Sequence, residues 1–470
     1  MTEKSFDLIV IGGGPGGYVA AIRAGQLGLS TLVVEKESMG GVCLNWGCIP
    51  SKALISAAKL VHHLQHAEHM GIKVAGLDVD VPKLQKWKSG IVKKLTGGVA
   101  SLVKSNGGTV LMGTATLTGA HTVLVDKSDG GSDTYVARKG IIIATGASPI
   151  HIPGFEVDGE VVITAKEAVS LQQAPESMVL IGGGIIGMEL GMVYQKLGTK
   201  VTVVEMLPRL LSGVDADLMK VVEKRFKKLG GEVLLEAKAK GAEVDGGKAT
   251  VTVEHGGETK TIECDKVLVA VGFRPNSKDL GLDEVRVETD DRGHILVDDQ
   301  LRTNVPGVYA IGDVTGMPYL AHRAMKQGEI AAEVVAGRKS GCDWQAMPSA
   351  IFTDPEVATV GLGEDAAREQ GIEVEVGKFP FAASGRAMAV DDTDGFVKSI
   401  VDAKSGQVLG MGIVGPEASE LIAEGTLAIE MCAQAEDVSL TVHTHPTLAE
   451  AIDESFKHAL KEAIHVMNKK

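Results

Sequence analysis

Aromatic residues are scarce in this chain, at 4% of 470 positions. Bases that stack on a protein need such side chains, so a single-strand nucleic-acid platform is not expected. Basic charge is also short, with 47 Lys and Arg against 61 Asp and Glu, a net −14. That balance repels phosphate backbones and anionic lipid and favours a basic protein segment as partner. No apolar run reaches about eighteen residues, so no membrane-spanning helix is expected. The opening MTEKSFDLIVIGGG enters a strand at once and has no basic head before an apolar core. It predicts no signal peptide, and hence a bacterial cytoplasmic protein or a mature chain of an organellar matrix. Five cysteines in this length do not make a disulfide scaffold.

Glycine, by contrast, is plentiful: 59 of 470 residues, roughly twice the usual ~7%. Such backbones can approach ligands closely. Apolar residues make up 44%, and the length predicts about three domains. Two stretches repeat one design: DLIVIGGGPGGYVAAIRAGQLGLSTLVVE at 7–35 and SMVLIGGGIIGMELGMVYQKLGTKVTVVE at 177–205. Each reads as strand, glycine turn, helix and second strand ending in glutamate. The glutamate follows the first motif glycine by the same interval, Gly12 to Glu35 and Gly182 to Glu205. This is the βαβ core of a dinucleotide-binding fold.

A further apolar strand closed by glycine follows each module, at 140–149 and 266–276. GVYAIGDV at 307–314 reads as a return of the chain to the first domain. Beyond about 348 the pattern becomes antiparallel hairpins and helices, as in GFVKSIVDAKSGQVLGMGIVG. Leu448, Ile452, Phe456, Leu460 and Ile464 recur every four residues and predict one apolar helical stripe. The expected class is α/β, with two Rossmann-like dinucleotide-binding domains and a C-terminal α+β domain of the kind that forms interfaces. Its segments are 1–150, 151–276, 277–347 (the return) and 348–470. DKSDGGSD at 126–133 reads as a hairpin tip.

A lone G-x-G-x-x-G means little, but here each copy stands between strand and helix with its acid in place. In the first, Gly12 makes the turn, Gly14 admits a pyrophosphate and Gly17 lets helix and strand pack. Gly182, Gly184 and Gly187 take the same parts in the second. Helix N-termini supply N–H groups and partial positive charge. Glu35 and Glu205 would accept ribose hydroxyls. With no arginine between Glu205 and Arg209, Glu205 favours NAD over NADP. Two sites in one chain point to electron transfer between a held flavin and an exchanging nicotinamide.

GGVCLNWGCIPSK, 40–52, places Cys43 and Cys48 directly after the first module. The bland reading is a structural disulfide or two buried thiols. Five helical residues rise about 7.5 Å, beyond the ~7 Å Cα limit of a disulfide. A bond would therefore need a distorted helix, which Gly47 permits. Strained disulfides are easily reduced, and a labile pair beside a flavin makes a redox relay. HTHPTLAE, 443–450, offers a proton acceptor: His445 before Pro446, which suits a helix's first turn, with Glu450 one to two turns in. On these residues alone a helix-capping histidine is an equal alternative.

The cysteine motif resembles the active-site segment of the pyridine nucleotide–disulfide oxidoreductases, and the likeness extends over essentially the whole chain. The resemblance implies an FAD domain, an NAD domain, a returning FAD segment and a dimerisation domain. It implies that Cys43 exchanges with a substrate dithiol and that Cys48 lies against the flavin as a charge-transfer thiolate. Lys52 would lie near the flavin, with Glu189, grouped with the NAD residues, able to pair with it. Asp313 would bind the ribityl chain, Gly113 and Ala147 would line the FAD site, and Gly272 the NAD site. His445, oriented by Glu450, would act as base on the other subunit's cysteines, so a homodimer is implied. FTDPEVATVG at 352–361 and HTHPTLAE point to the members that oxidise dihydrolipoyl groups on an acyltransferase or carrier protein. The partner implied is the acyltransferase core of a 2-oxoacid dehydrogenase complex.

The rivals are a sister reductase of glutathione or mercuric type, which Glu205 argues against, and a flavoprotein docking subunit with a silent disulfide. His62, His66 and His69 share a helical face at metal-ligand spacing, but a solvated face is the better reading and no metal is expected. Cys264, Cys342 and Cys432 read as small buried hydrophobes, and Asp391 and Asp392 as a turn.

Overall fold

The computed structural model describes residues 4–468. Strand β1 (Lys4–Ile11) and β2 (Thr31–Glu35) flank helix α1 (Pro15–Gln26) in sequence. They pair in parallel, Leu8 opposite Thr31 through Ile11 opposite Val34. Leu8, Ile9 and Val10 are fully buried, as the continuous apolar run of a parallel strand requires. Helices α2 (Gly41–Asn45), α3 (Cys48–His66) and α4 (Val81–Ser105) follow. Then come β3 (Gly108–Gly119), β4 (Thr122–Lys127) and β5 (Ser132–Ile143). β3 lies beside β2, and β5 lies on the other side of β1. The strand Val308–Ala310 extends this sheet beyond β5, pairing with Ile141–Ile143.

The second module repeats the plan. Its five parallel strands run Glu232–Leu234, Lys200–Val204, Ser177–Ile181, Lys266–Val269, Val162–Ile163. The ribbon pair Ala147–Pro149 and Phe273–Pro275 joins the two units. An antiparallel sheet of five strands fills the C-terminal region, in the order 349–351, 356–361, 408–415, 396–402, 374–380. The α/β class and this α+β unit are those expected.

Two local expectations fail. The last helix spans only Glu450–Ala459, so the apolar stripe stops short. Ile452 and Phe456 are buried, but Ile464 is 73% exposed. The chain turns out at Lys461, where φ is +64°, and Glu462 N–H closes back on Lys457 O at 2.7 Å. Cys432, expected inside, is exposed, at φ +52° just past a helix end. Cys264 is buried and Cys342 half-buried.

One buried ion cluster fastens the second module to the C-terminal sheet. Lys398, its side chain 3% exposed, lies 2.8 Å from Asp215 and Glu364 and 3.2 Å from Asp217. Removing a single partner of such a cluster leaves uncompensated charge behind. Lys398→Ala is expected to cost about 3 kcal/mol, read as a lower thermal unfolding midpoint. Lys398→Arg should keep most of it. An unchanged midpoint for the alanine variant would contradict this coupling.

Candidate active site

The two glycine loops are near-copies. Gly12 and Gly182 have φ +107° and +101°, which side chains rarely adopt. A Cβ on Gly187 would lie 2.6 Å from Gly182 O, and one on Gly17 would run into Gly12 O. Gly14 and Gly184 differ in kind. A Cβ there would meet nothing nearer than 3.8 and 4.0 Å, so their bareness serves whatever lies above the loop. Both cap their helices without a side-chain hydrogen bond. First-turn N–H groups beneath open backbone suit a pyrophosphate.

The acids also match. Glu35 accepts from Gly13 N–H at 2.6 Å and Glu37 N–H at 2.7 Å. Glu205 accepts from Gly183 and Leu207 N–H, both at 2.7 Å. It stands one residue beyond its strand, which ends at Val204. Each carboxylate thus braces its own loop, a part the spacing did not disclose.

Gly113 follows Met112, the residue paired with Glu35. Ala147 is buried on the ribbon, and Gly272, at φ +118°, accepts Ile150 N–H at 3.0 Å beside it. Asp313 lies in the turn Gly312–Thr315 after the returning strand. Among the described residues its carboxylate accepts no hydrogen bond, and burial pushes it up to about 6 against the pull of Arg323. A half-buried carboxylate without protein donors is open to a ligand's. Sugar-like hydroxyls would satisfy it, so the residues present fit an FAD here.

The cysteines sit where the helix breaks. α2 ends at Asn45 and α3 begins at Cys48. Gly47 N–H donates to Val42 O at 2.7 Å. A Cβ on Gly47 would press on Cys43 Cα at 3.2 Å and Val42 O at 2.9 Å. The break, rather than a bend within one helix, brings the thiols together. Both are unbridged, with Cys43 buried and Cys48 partly so. The Cys43 thiol donates to Cys48, and this bond raises Cys43. The same bond, aided by the Lys52 charge against the opposing effect of burial, holds Cys48 below the ordinary thiol range.

Lys52 Nζ lies 2.8 Å from Glu189 Oε2. Glu189 Oε1 accepts Phe352 N–H, also at 2.8 Å. The Glu189 carboxylate is therefore engaged with Lys52 and Phe352. Phe352 carried no spacing signal; only its place at the head of FTDPEVATVG marked the segment.

His445 Nδ1 lies 2.8 Å from Glu450 Oε1, and its side chain is 81% exposed, with no partner for Nε2 among the described residues. His443 has both nitrogens engaged, with Thr441 O and Glu424 Oε1. Burial tends to raise Glu450, but Thr447 N–H and His445 outweigh it and hold the carboxyl below its usual value. Contrary to expectation, Pro446 does not lie in the helix. Thr447 N–H is captured by Glu450 Oε2 at 2.7 Å, and the helix begins at Glu450 itself. The His62 and His66 rings lie 4.2 Å apart in α3, tilted by 45°, while His69 lies in the separate turn Ala67–Met70. Among the described residues no group of three or more His, Cys, Asp or Glu is placed to hold a metal, and no helix is long and apolar enough to cross a membrane.

Comparison with known proteins places these features in a family. Residues 6–328 match the pyridine nucleotide-disulphide oxidoreductase model, and residues 347–456 match the dimerisation domain of the same group. The chain is 49% identical over 463 residues to a dihydrolipoyl dehydrogenase of Geobacillus stearothermophilus, covering 98% of both. It is 47% identical over 469 residues to one from Thermus scotoductus, covering 99% of this chain and 100% of that one. The crystal structure of LpdA from Mycobacterium tuberculosis superposes with a TM-score of 0.90 at 28% identity, over 97% of this chain and 99% of that one.

Proposed function

This chain belongs to the pyridine nucleotide-disulphide oxidoreductase family, and from that premise we propose how its residues carry electrons from a dithiol to NAD. The activity is that of a dihydrolipoyl dehydrogenase with FAD and NAD as cofactors. The dimerisation domain supports a homodimer. The observation that carries the site reading is the broken helix that sets Cys43 against Cys48 beside the Lys52–Glu189 pair.

With the cysteines oxidised, one thiolate of the dihydrolipoyl group attacks Cys43 sulfur. The Cys43–Cys48 bond breaks, and Cys48 leaves as a thiolate held by Lys52. The second substrate sulfur closes the lipoyl disulfide and releases Cys43. Two substrate protons depart, one to His445 of the partner subunit and the other to the released Cys43 sulfur. FAD, when bound, would supply the electron-pair acceptor between this dithiol and NAD⁺. The chain's residues hold the nucleotides through Gly12, Gly14, Gly17, Glu35, Gly113, Ala147 and Asp313 for FAD, and Gly182, Gly184, Gly187, Glu205 and Gly272 for NAD. The same reading divides the chain into four segments at 150, 276 and 347.

Purified protein should reduce lipoamide with NADH, and neither NADPH nor glutathione disulfide should replace their counterparts. Turnover with NADPH and glutathione disulfide instead would overturn the substrate and Glu205 assignments together. Asp313→Ala is expected to weaken FAD binding about 10- to 100-fold, the loss of a hydrogen bond to a charged group. Flavin retained per protein after gel filtration reads this directly; full retention would exclude Asp313 from the site. The acidic surface, net −14, supports docking on a basic segment of an acyltransferase core in a 2-oxoacid dehydrogenase complex. High salt should then release the dimer, and salt-insensitive binding would refute an electrostatic dock.

A further inference from the structure

Phe352 follows the short strand Ser349–Ile351 of the C-terminal sheet, yet it serves the other two units. Its N–H donates to Glu189 Oε1 at 2.8 Å. Its ring lies 4.4 Å from Lys52 Nζ, centroid to nitrogen. Glu189 Oε2 accepts from that same ammonium at 2.8 Å. Ammonium, carboxylate and aromatic residue therefore close a triangle drawn from three regions of the chain.

The segment carrying Phe352 is itself pinned. Asp354 pairs with Lys196 at 2.7 Å and Arg225 at 3.1 Å. Its N–H meets Met192 Sδ at 3.2 Å. Met192, Lys196 and Glu189 share the helix Ile185–Lys196. One helix thus fixes both Phe352 and the carboxylate that Phe352 touches.

Lys52 lies four residues beyond Cys48 on α3, one turn along the same face. An ammonium on a four-carbon stem is mobile. A single carboxylate would let it pivot, and a ring face on a second side removes that freedom. We propose that Phe352 is a positioning residue for the redox pair, its N–H and ring together holding the Lys52–Glu189 ion pair in place beside Cys48. The inference rests on the reading of Cys43 and Cys48 as that pair.

The test is made on flavin-loaded Cys43→Ser protein, where serine keeps a donor toward Cys48. Alkylation of Cys48 by iodoacetamide is followed against pH by peptide mass spectrometry. Phe352→Leu should move the midpoint up by roughly half a unit or more. Pentafluorophenylalanine at position 352 keeps the shape, removes the negative ring face and should give the same shift even if the leucine variant folds poorly. Phe352→Tyr should restore the original midpoint. In a Lys52→Met background the fluorinated ring should have no effect. A midpoint unmoved by the fluorinated ring, or one moved equally without Lys52, overturns the inference while leaving the redox pair intact. An ordinary thiol midpoint before any change at 352 overturns both.

Discussion

Cys48→Ser is expected to lower lipoamide turnover by at least about 10³-fold, as loss of a covalent catalyst does. A serine oxygen cannot complete the disulfide that receives the substrate's electrons. Cys43→Ser should lose as much, because the sulfur that is attacked is gone. The two variants should nonetheless differ. With Cys43 replaced, Cys48 keeps the Lys52 charge, one of the influences that hold it below the ordinary thiol range, and ionises more readily than an ordinary thiol. With Cys48 replaced, Cys43 exchanges a thiolate acceptor for a neutral hydroxyl oxygen, while burial, which also raises it, remains, so it behaves as a buried thiol. Alkylation at pH 7 should therefore be fast in Cys43→Ser and slow in Cys48→Ser; burial alone gives the same order, so the thiolate contribution is read from the pH at which each rate rises. NADH-driven reduction of an artificial dye needs no disulfide and should survive in both. Lipoamide turnover within tenfold of wild type in either variant would take the disulfide out of the reaction.

What could be read from the sequence is what depends on residues close along the chain. Gly12 and Gly182 need a positive φ that few residues tolerate, so the loops announce themselves. Cys43, Gly47 and Cys48 also show within one short stretch that the helix must break. The misreadings arise where a distant or unusual partner decides. Pro446 favoured a helix start on propensity, but the Glu450 side chain takes the N–H of Thr447 and delays it. Ile464 kept the period of its helix, yet the chain had already turned at Lys461. The bond from Phe352 to Glu189 spans 163 residues, and no local pattern encodes it. Lys398 stands in a strand among apolar neighbours, and its three carboxylates come from elements far from it in sequence.

His445→Gln should reduce lipoamide turnover by about 10²- to 10⁴-fold, the range for losing a general base, with little change in flavin content. The geometry supports this residue over His443. His443 is spent on two acceptors, whereas His445 turns one nitrogen to Glu450 and presents the other to solvent. A base exposed this way on the C-terminal unit is placed to serve a second copy. Mixing inactive His445→Gln with inactive Cys48→Ser subunits tests that directly. A mixed dimer carries one site with both wild-type groups, so activity should reappear toward about a quarter of the wild-type level for random exchange. If base and cysteines came from one chain, exchange would restore nothing beyond that chain's own residual rate. The pH dependence is also set. Glu450 lies below its usual value, so its charge contributes fully above the ordinary carboxyl range. That contribution disappears only as pH falls through the lowered value. Down to about pH 5 the Glu450 carboxylate should therefore stay charged and keep its bond to His445. In Glu450→Gln turnover should fall roughly 10-fold or more. Turnover that stays at the wild-type level would show that the carboxylate merely closes the turn at Thr447.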